Sequence, residues 1–371
     1  MGPKYPAGMR LDAPSLPLEG VVVVDLTSNI AAPFGSAILA DLGAQVVHIE
    51  PSTGDDSRRM SPTDADASAY FYVVNRNKRF TTLDLRVKSD LDSLHELIAG
   101  ADVFVTNLRL RTLMELGLDQ QSLTGSFPKL ITAYLNAYGP HPTVVNDPGY
   151  DGVIQARTGI TGVTGGVEPA RAGVSILDMG SGMWLAIGVL SALYQRTLTG
   201  VGSTVATSLF ETGVAWSSYH LVAHQLTGEA SSRSGTGHPA FAPYGLFQTN
   251  DGPIMIGVGG DAVFARLAQA LGQEGLVMDF RFATNTSRIA HSIELTAIIE
   301  MALSHYTREE AVLLLRTADV PADVLALPED LLEDVAAAQQ LASVDLKGKS
   351  IYVPALPLRI NGEYPPVTFP S

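Results

Sequence analysis

The chain has 371 residues, of which 46% are hydrophobic, and a formal net charge of −14. This length and apolar content are sufficient for a large core, in two domains or in one elaborated domain. Because the sequence contains no cysteine, it excludes a disulfide framework, a thiolate metal site and a cysteine nucleophile. The acidic balance argues against binding of nucleic acid, which requires a basic face.

The N-terminal segment and the apolar runs bear on localisation. Residues 1–17 contain no apolar stretch typical of a signal peptide. No uninterrupted apolar run approaches the roughly 18 residues that a membrane-spanning helix needs. We therefore expect a cytoplasmic protein that does not bind membranes, and the lack of cysteine fits a reducing compartment.

Strands and helices alternate along the first part of the chain. The first is the buried strand LEGVVVVDL, followed by the turn SNIAAP, the helix FGSAILADLGA and the strand QVVHIE, which together form a βαβ unit. The alternation continues with a helix at 90–101, a strand at 102–108, a helix at 111–118 and a strand at 129–138. This order predicts an α/β open sheet of parallel strands, with a ligand crevice at the carboxyl ends of those strands.

Asp178 is the one acidic residue in GVSILDMGSGMWLAIGVLSALYQR, which spans residues 173–196. VSIL is typical of a short strand, MGSG of a turn and MWLAIGVLSALYQ of a buried helix. Asp178 is therefore predicted at a strand-to-helix junction. There a carboxylate can cap the helix or act in catalysis, and the local pattern does not decide between the two.

The second half of the chain changes character. Residues 199–228 predict a strand that leads into a long helix, a Ser/Gly-rich loop follows at 228–243, and 244–260 are typical of a hairpin. Helices then continue to about Leu315, and the Pro-rich C-terminal segment is extended. We predict a large α/β domain at 1–205 completed by 326–371, a linker helix at 206–230 and a smaller α+β domain at 231–325.

Positive side chains cluster near residue 80 of this acidic chain. Such a cluster is either a solvated face or a local anion site. Its members are Arg76, Lys78, Arg79, Arg86 and Lys88 around the single Asp84, with Arg58, Arg59, Arg109 and Arg111 on either side in sequence.

Common cofactor and metal motifs are not matched. The first βα turn has no GxGxxG, although Glu50 ends the second strand, so a nicotinamide dehydrogenase is a weak candidate. There is no phosphate loop and no nucleophile elbow. His220 and His224 share a helix face without an HExxH motif or a third ligand, so we predict no metal site.

Blocks distributed along the chain resemble one family in their order. They include AAPFGSAILADLGAQVVHIEP, NRNKRFTTLDLR, ADVFVTNLR, PKLITAYLNAYGP, PGYDGVIQARTG, the Asp178 stretch and PYGLFQTNDG. From about Leu18 to the C-terminal segment, the chain resembles the class III CoA-transferases, the CaiB/BaiF group that includes formyl-CoA transferase-like enzymes. The resemblance implies an open parallel-sheet, Rossmann-like large domain, a smaller α+β domain and an interlocked homodimer.

The resemblance also implies a role for Asp178. The matching aspartate attacks the donor thioester to form a mixed anhydride, and CoA thiolate then converts this into an aspartyl-CoA thioester that the acceptor acid reopens. An ordinary aspartate is ionised at neutral pH and needs no base for this attack. We expect the backbone N–H groups of Met179–Gly182 to stabilise the oxyanions, with Gly180 and Gly182 providing access.

The implied substrates are an acyl-CoA donor and a small carboxylic acid, with no tightly bound cofactor. Five matched positions depart from the family pattern: Ile30, Ala32, Pro51, Glu115 and Asn136. Either nearby cations compensate, or CoA is held differently here. The candidate CoA contacts are Ala31, Arg58, Arg76, Lys78, Leu83, Arg86, Asn107, Leu108, Arg109, Asn136 and Tyr138.

Two alternative functions remain open. The α-methylacyl-CoA racemases of the same superfamily pair the aspartate with a histidine, and Tyr150 stands at that position here. Without the imidazole, the second acid/base group that racemisation requires is not apparent. A non-catalytic CoA-binding protein would explain the altered contact positions, but the retained Asp178 argues against it.

Overall fold

The computed structural model describes residues 16–63, 67–346 and 348–369. The strands are β1 Val22–Leu26, β2 Gln45–Glu50, β3 Arg79–Thr82, β4 Val103–Thr106, β5 Ile131–Asn136, β6 Thr204–Ser208, β7 Tyr244–Gln248, β8 Pro253–Gly257, β9 Ala322–Val324, β10 Leu341–Leu346 and β11 Lys349–Pro354. The helices are α1 Ala31–Asp41, α2 Ala69–Asn75, α3 Lys88–Ala99, α4 Leu110–Leu116, α5 Gln120–Ser126, α6 Asp151–Arg157, α7 Ile160–Val163, α8 Ile176–Thr199, α9 Leu209–Trp216, α10 Ser218–Thr227, α11 Asp261–Ala270, α12 Asn285–Ala290, α13 Ser292–Leu303 and α14 Arg308–Thr317.

The chain divides into two compact units. Of the described residues, the first unit contains 16–158, 173–218 and 332–369, and the second contains 159–172 and 219–331. Within the predicted linker helix at 206–230, strand β6 ends at Ser208 and two helices, α9 and α10, follow it. The break between these helices falls at Ser217, whose hydroxyl donates to the carbonyl of Thr158 at 2.9 Å.

The first unit is built on a six-stranded sheet of order β3-β2-β1-β4-β5-β6. All its strand pairs are parallel, which confirms the predicted α/β open sheet. The strand order reverses between β1 and β4, and such a switch point is where ligands bind in open α/β sheets. Strand β3 was not predicted, because this half-exposed edge strand lies inside the basic run and lacks the apolar pattern of a buried strand.

Helices α1 and α8 pack closely within the first unit, at a contact between two glycines. A Cβ added to Gly182 would lie 2.5 Å from the carbonyl oxygen of Ala31, and one added to Gly35 would lie 2.8 Å from that of Gly182. The predicted strand at 174–177 and turn at 179–182 are therefore wrong. The helix begins at Ile176 and runs through both glycines, because only residues without a side chain permit this approach.

The other residues of α8 divide into a buried face and an exposed apolar stripe. Among the described helices, α8 alone is long and apolar enough to cross a membrane by length and composition. Its buried residues include Leu177, Leu185 and Val189, which pack inside the first unit. The stripe consists of Met183, Trp184, Ile187, Tyr194 and Leu198, which are 45–71% exposed.

The second unit contains a three-stranded antiparallel sheet of order β7-β8-β9. The pairing of β7 with β8 confirms the predicted hairpin at 244–260. Helices α11, α13 and α14 supply much of its buried core, which includes Phe264, Ile299 and Leu315. In the first unit, the C-terminal segment forms a second hairpin from β10 and β11.

We predict that Gly182→Ala destabilises the protein by about 1–3 kcal/mol, because the added methyl group meets backbone and not a flexible side chain. Gly125→Ala is the matched control, since Gly125 lies in α5 and has no heavy atom within 4 Å of an added Cβ. We expect this control to change stability by less than about 1 kcal/mol. Urea denaturation measures both, and equal stability of the two variants would contradict the close packing of α1 and α8.

Candidate active site

Asp178 lies in the first turn of α8, and a second carboxylate caps this turn. The buried side chain of Asp151 comes from the first turn of α6. Its Oδ2 atom accepts the N–H group of Leu177 at 2.7 Å and that of Asp178 at 3.3 Å. Asp151 is therefore the side-chain cap of α8, which leaves the carboxyl group of Asp178 free for another role.

The remaining N–H groups of this turn are also occupied. Ile176 donates to the carbonyl of Val174 at 2.8 Å, and Met179 donates to that of Ser175 at 3.0 Å. Gly180 and Gly182 lie inside the helix, where N–H groups donate to carbonyls one turn earlier. The predicted oxyanion role of Met179–Gly182 therefore does not fit, because these donors are committed to the helix.

The two glycines instead serve packing. A Cβ on Gly180 would lie 2.2 Å from the ring of Trp216. Asp178 and Gly182 are four residues apart and share a face of α8. Because Gly182 contacts Ala31, Asp178 lies about one helical turn from the start of α1. On the side of α2, the hydroxyl groups of Tyr70 and Ser175 are 3.4 Å apart.

Burial and the neighbouring charge of Asp151 raise the pKa of Asp178 from 3.8 to about 7. Burial is the larger cause, since it removes the water that stabilises a carboxylate. The expectation of an ordinary, fully ionised aspartate is therefore wrong, because the carboxyl group is close to half protonated at neutral pH. Perturbed carboxyl groups of this kind are concentrated at functional sites.

A crevice of about 420 Å³ lies at the carboxyl ends of β1 to β4. Three predicted CoA contacts line it: Leu83, Arg86 and Leu108. A fourth, Asn107, joins the two strands of the switch point. It accepts the N–H group of Ser28 at 3.0 Å and donates to the carbonyl of Ser28 at 2.8 Å.

Two of the cations that were predicted to contact CoA form buried ion pairs instead. The guanidinium of Arg76 forms a buried ion pair with Asp41 at 2.6 Å, and the ammonium of Lys78 forms one with Asp25 at 2.9 Å. Lys78 also donates to the carbonyl of Pro33 in α1 at 2.9 Å. Neither Arg76 nor Lys78 lines the crevice. Burial alone would raise the pKa of Asp25, but the charge of Lys78 holds it below its usual range.

The other predicted arginines differ in their surroundings. Arg58 donates to both carboxylate oxygens of Glu50, at 2.8 and 2.9 Å, and stacks 3.8 Å from the ring centre of Phe71. Arg86 is exposed and pairs with Asp84 at 2.8 Å. Arg109 precedes α4, is exposed, and has no ion pair among the described residues.

Asn136 and Tyr138 lie at the end of β5 and do not line the crevice. The amide of Asn136 closes a turn by accepting the N–H group of Gly139 at 2.6 Å. The ring of Tyr138 lies 5.3 Å from the guanidinium of Arg157. Within the described part of the chain, no group of three or more His, Cys, Asp or Glu could hold a metal ion.

Sequence reasoning missed Asp151 and Tyr70. Asp151 lies in the PGYDG block, directly after the position that was considered for a racemase histidine. The available signal was an acidic residue opening a helix, but its partner is a helix that begins 25 residues later. Tyr70 lies in a mostly apolar stretch, and no local pattern predicts its contact with Ser175.

We predict that Asp178→Asn increases the free energy of unfolding at pH 8 by roughly 1–3 kcal/mol, since one pKa unit corresponds to about 1.4 kcal/mol. A carboxyl whose pKa is raised in the folded state destabilises that state most above the raised value, here about 7. The gain should therefore shrink as the pH falls toward 4.5. Denaturation at several pH values tests this, with the exposed Asp147→Asn as control; a gain independent of pH would contradict it.

Comparison with known proteins places these features in a family. Residues 18–371 match the model described as CoA-transferase family III. An acetyl-CoA:oxalate CoA-transferase of Acetobacter aceti is 34% identical over 354 residues, which are 94% of this chain and 90% of that protein. A succinyl-CoA–D-citramalate CoA-transferase of Chloroflexus aurantiacus is 33% identical over 331 residues, covering 88% and 82%.

A solved structure agrees in fold. The crystal structure of a CAIB/BAIF family protein from Brucella suis has a TM-score of 0.83 and 32% sequence identity, with 94% of each chain covered. The chain therefore belongs to CoA-transferase family III, and it is an enzyme that moves CoA between acyl-CoA thioesters and carboxylic acids.

Proposed function

We propose that Asp178 is the covalent carrier of this transfer. The observation that supports this most strongly is a desolvated carboxyl group, with its pKa raised to about 7, in the first turn of α8. Its own helix does not use it as a cap, because Asp151 fills that role. A carboxylate that sheds little water before it attacks is a suitable nucleophile for a thioester.

The reaction then proceeds through balanced exchanges. The ionised carboxylate of Asp178 attacks the donor thioester carbonyl, and the C–S bond breaks to give a mixed anhydride and CoA thiolate. The thiolate attacks the aspartyl carbonyl, releasing the donor acid and leaving an aspartyl-CoA thioester. The acceptor carboxylate then attacks the aspartyl-CoA thioester, which gives a second mixed anhydride and frees CoA thiolate. The thiolate attacks the acceptor's carbonyl in this anhydride, so that the acceptor leaves as acyl-CoA and the carboxylate of Asp178 is restored. Each step uses only the substrates and Asp178, so we propose no resident cofactor.

We assign oxyanion stabilisation to the first turn of α1. The N–H groups of Ala31 and Ala32 donate to no acceptor among the described residues. They belong to the turn whose Ala31 carbonyl contacts Gly182. Free N–H groups at a helix start, together with the positive end of its dipole, favour developing negative charge. This replaces the N–H groups of Met179–Gly182 in that role.

The racemase alternative has less support. Racemisation needs two acid/base groups that face one α-carbon. Tyr150 is 71% exposed, and the carboxyl group next to Asp178 belongs to Asp151, which already accepts two N–H groups and the amide of Gln155. A second acid/base group for the racemase is therefore not supplied by either residue.

Chemical trapping tests the proposed carrier. We predict that incubation with acetyl-CoA or succinyl-CoA, followed by hydroxylamine, converts Asp178 to a hydroxamate that peptide mass spectrometry detects. Asp178→Asn should lose the adduct and at least about 10³-fold in kcat, whereas Asp147→Asn should retain both. Incorporation of deuterium from heavy water at the α-carbon of the acyl group, without CoA exchange, would indicate the racemase. CoA binding without any adduct or turnover would indicate a non-catalytic binder.

We also propose a homodimer, as the family resemblance implies. The exposed apolar stripe of α8 supports this, since contiguous exposed apolar side chains mark interaction surfaces. We predict a native mass of two chains at micromolar concentration and a monomer for Ile187→Glu, because a buried charge opposes association. Thr124→Glu, exposed on α5, is the control. A monomeric wild-type chain would exclude the proposal.

A further inference from the structure

The crevice at the ends of β1 to β4 is acidic, although its expected ligand is an anion. The carboxylates of Glu50, Asp55, Asp56 and Asp84 line it, and Arg86 is the one cation among the described residues that do. Burial favours the protonated form of Glu50, but hydrogen bonds from Arg58 and the N–H group of Asp55 hold its pKa below the usual range. Glu50 therefore stays ionised at neutral pH.

Three arginines beside this crevice already form ion pairs with carboxylates. Arg58 pairs with Glu50 at 2.8 Å, Arg59 with Asp56 at 2.7 Å and Arg86 with Asp84 at 2.8 Å. The fourth carboxylate, that of Asp55, accepts the N–H group of Ser57 at 2.7 Å. Each of these three arginines thus has a carboxylate partner, and among the described residues Asp55 is the one of the four carboxylates without an arginine partner.

The charges of the crevice distinguish a ribose with free hydroxyl groups from a ribose that carries a phosphate. A phosphomonoester carries about −1.5 to −2 charges at pH 7, so that cations facing it stabilise it and neighbouring carboxylates repel it. A free ribose hydroxyl donates to a carboxylate. In dinucleotide-binding α/β sheets, an acidic residue shortly after the first helix hydrogen-bonds to the free ribose hydroxyl, whereas a nearby arginine accommodates a ribose phosphate. The crevice has the acidic arrangement at the end of β2.

The chain segment that leaves the crevice leads to the helix contact next to the candidate nucleophile. Ser28 lines it and precedes Ala31 by three residues, and the Ala31 carbonyl contacts Gly182 in the helix that carries Asp178. A ligand with its ribose at β2 and its thioester at α8 would follow this segment. Leu108 lines the same crevice, and the unpaired Arg109 follows it.

We propose that the crevice binds the adenosine end of the thioester through its ribose hydroxyls and does not recognise the 3′-phosphate of CoA. Thioesters of 3′-dephospho-CoA are then substrates equivalent to those of CoA. Arg109 binds the 5′-diphosphate, which both carriers share. This inference rests on the proposed function, since it concerns the carrier that delivers the acyl group to Asp178.

Calorimetry with CoA and 3′-dephospho-CoA on the wild-type protein tests the inference without turnover. We expect the two Kd values to agree within about threefold, because the 3′-phosphate makes no paired contact. CoA binding at least about 30-fold tighter would overturn the inference, as would failure of both carriers to bind. Turnover and adduct formation at Asp178 are scored separately, so a failure of the catalytic proposal remains distinguishable.

Two variants and a control sharpen this test. Asp84→Asn releases Arg86 and should tighten the binding of CoA by about tenfold, as a charge-assisted phosphate contact does, while 3′-dephospho-CoA gains less. Asp92→Asn is the control, because it releases Lys88 on the exposed face of α3, outside the crevice. Arg109→Ala should weaken both carriers alike, by about tenfold.

Two results with these variants would contradict the inference. Equal tightening of both carriers by Asp84→Asn, or no tightening of either, would show that Arg86 does not face the ribose. Selective weakening of CoA by Arg109→Ala would assign Arg109 to the 3′-phosphate, against the inference.

Discussion

The close packing of α1 against α8 is the constraint on which the site depends. It exists because Gly35 and Gly182 present no side chain where the two backbones meet. The contact places the start of α1, with its free N–H groups, about one turn from Asp178. The same start of α1 follows directly from the segment that lines the crevice. One helix packing and the parallel sheet beneath it thus position Asp178, the N–H groups at the start of α1 and the segment that follows β1.

Two carboxyl groups at the start of α8 have different electrostatic surroundings. Asp151 accepts the N–H groups of the first turn and is stabilised by them. Asp178 is left with burial and the repulsion of Asp151, which together raise its pKa. The folded state is destabilised by this arrangement at neutral pH, as is common where a site is preorganised for chemistry.

Periodicity in the sequence predicted the parallel sheet and the β7–β8 hairpin, because buried strands and turns have local signatures. The resemblance to a family identified Asp178 as the candidate catalytic residue. Local pattern could not show that MGSG continues a helix, since the reason is the distant Ala31 backbone. It also could not show which cations of the basic run are buried in ion pairs and which are exposed. Arg76 and Lys78 are buried in ion pairs with Asp41 and Asp25, residues distant in sequence, and breaking such pairs is strongly destabilising.

Asp178 is a desolvated carboxyl group and not an ordinary surface aspartate. Site-specific titration measures this most directly, by carbon NMR of protein with labelled aspartate carboxyls and with the Asp178→Asn spectrum subtracted. A midpoint near pH 7 is expected, and it should fall in Asp151→Asn because a neighbouring negative charge is removed. A midpoint near 4, the value of an exposed aspartate, would contradict the account.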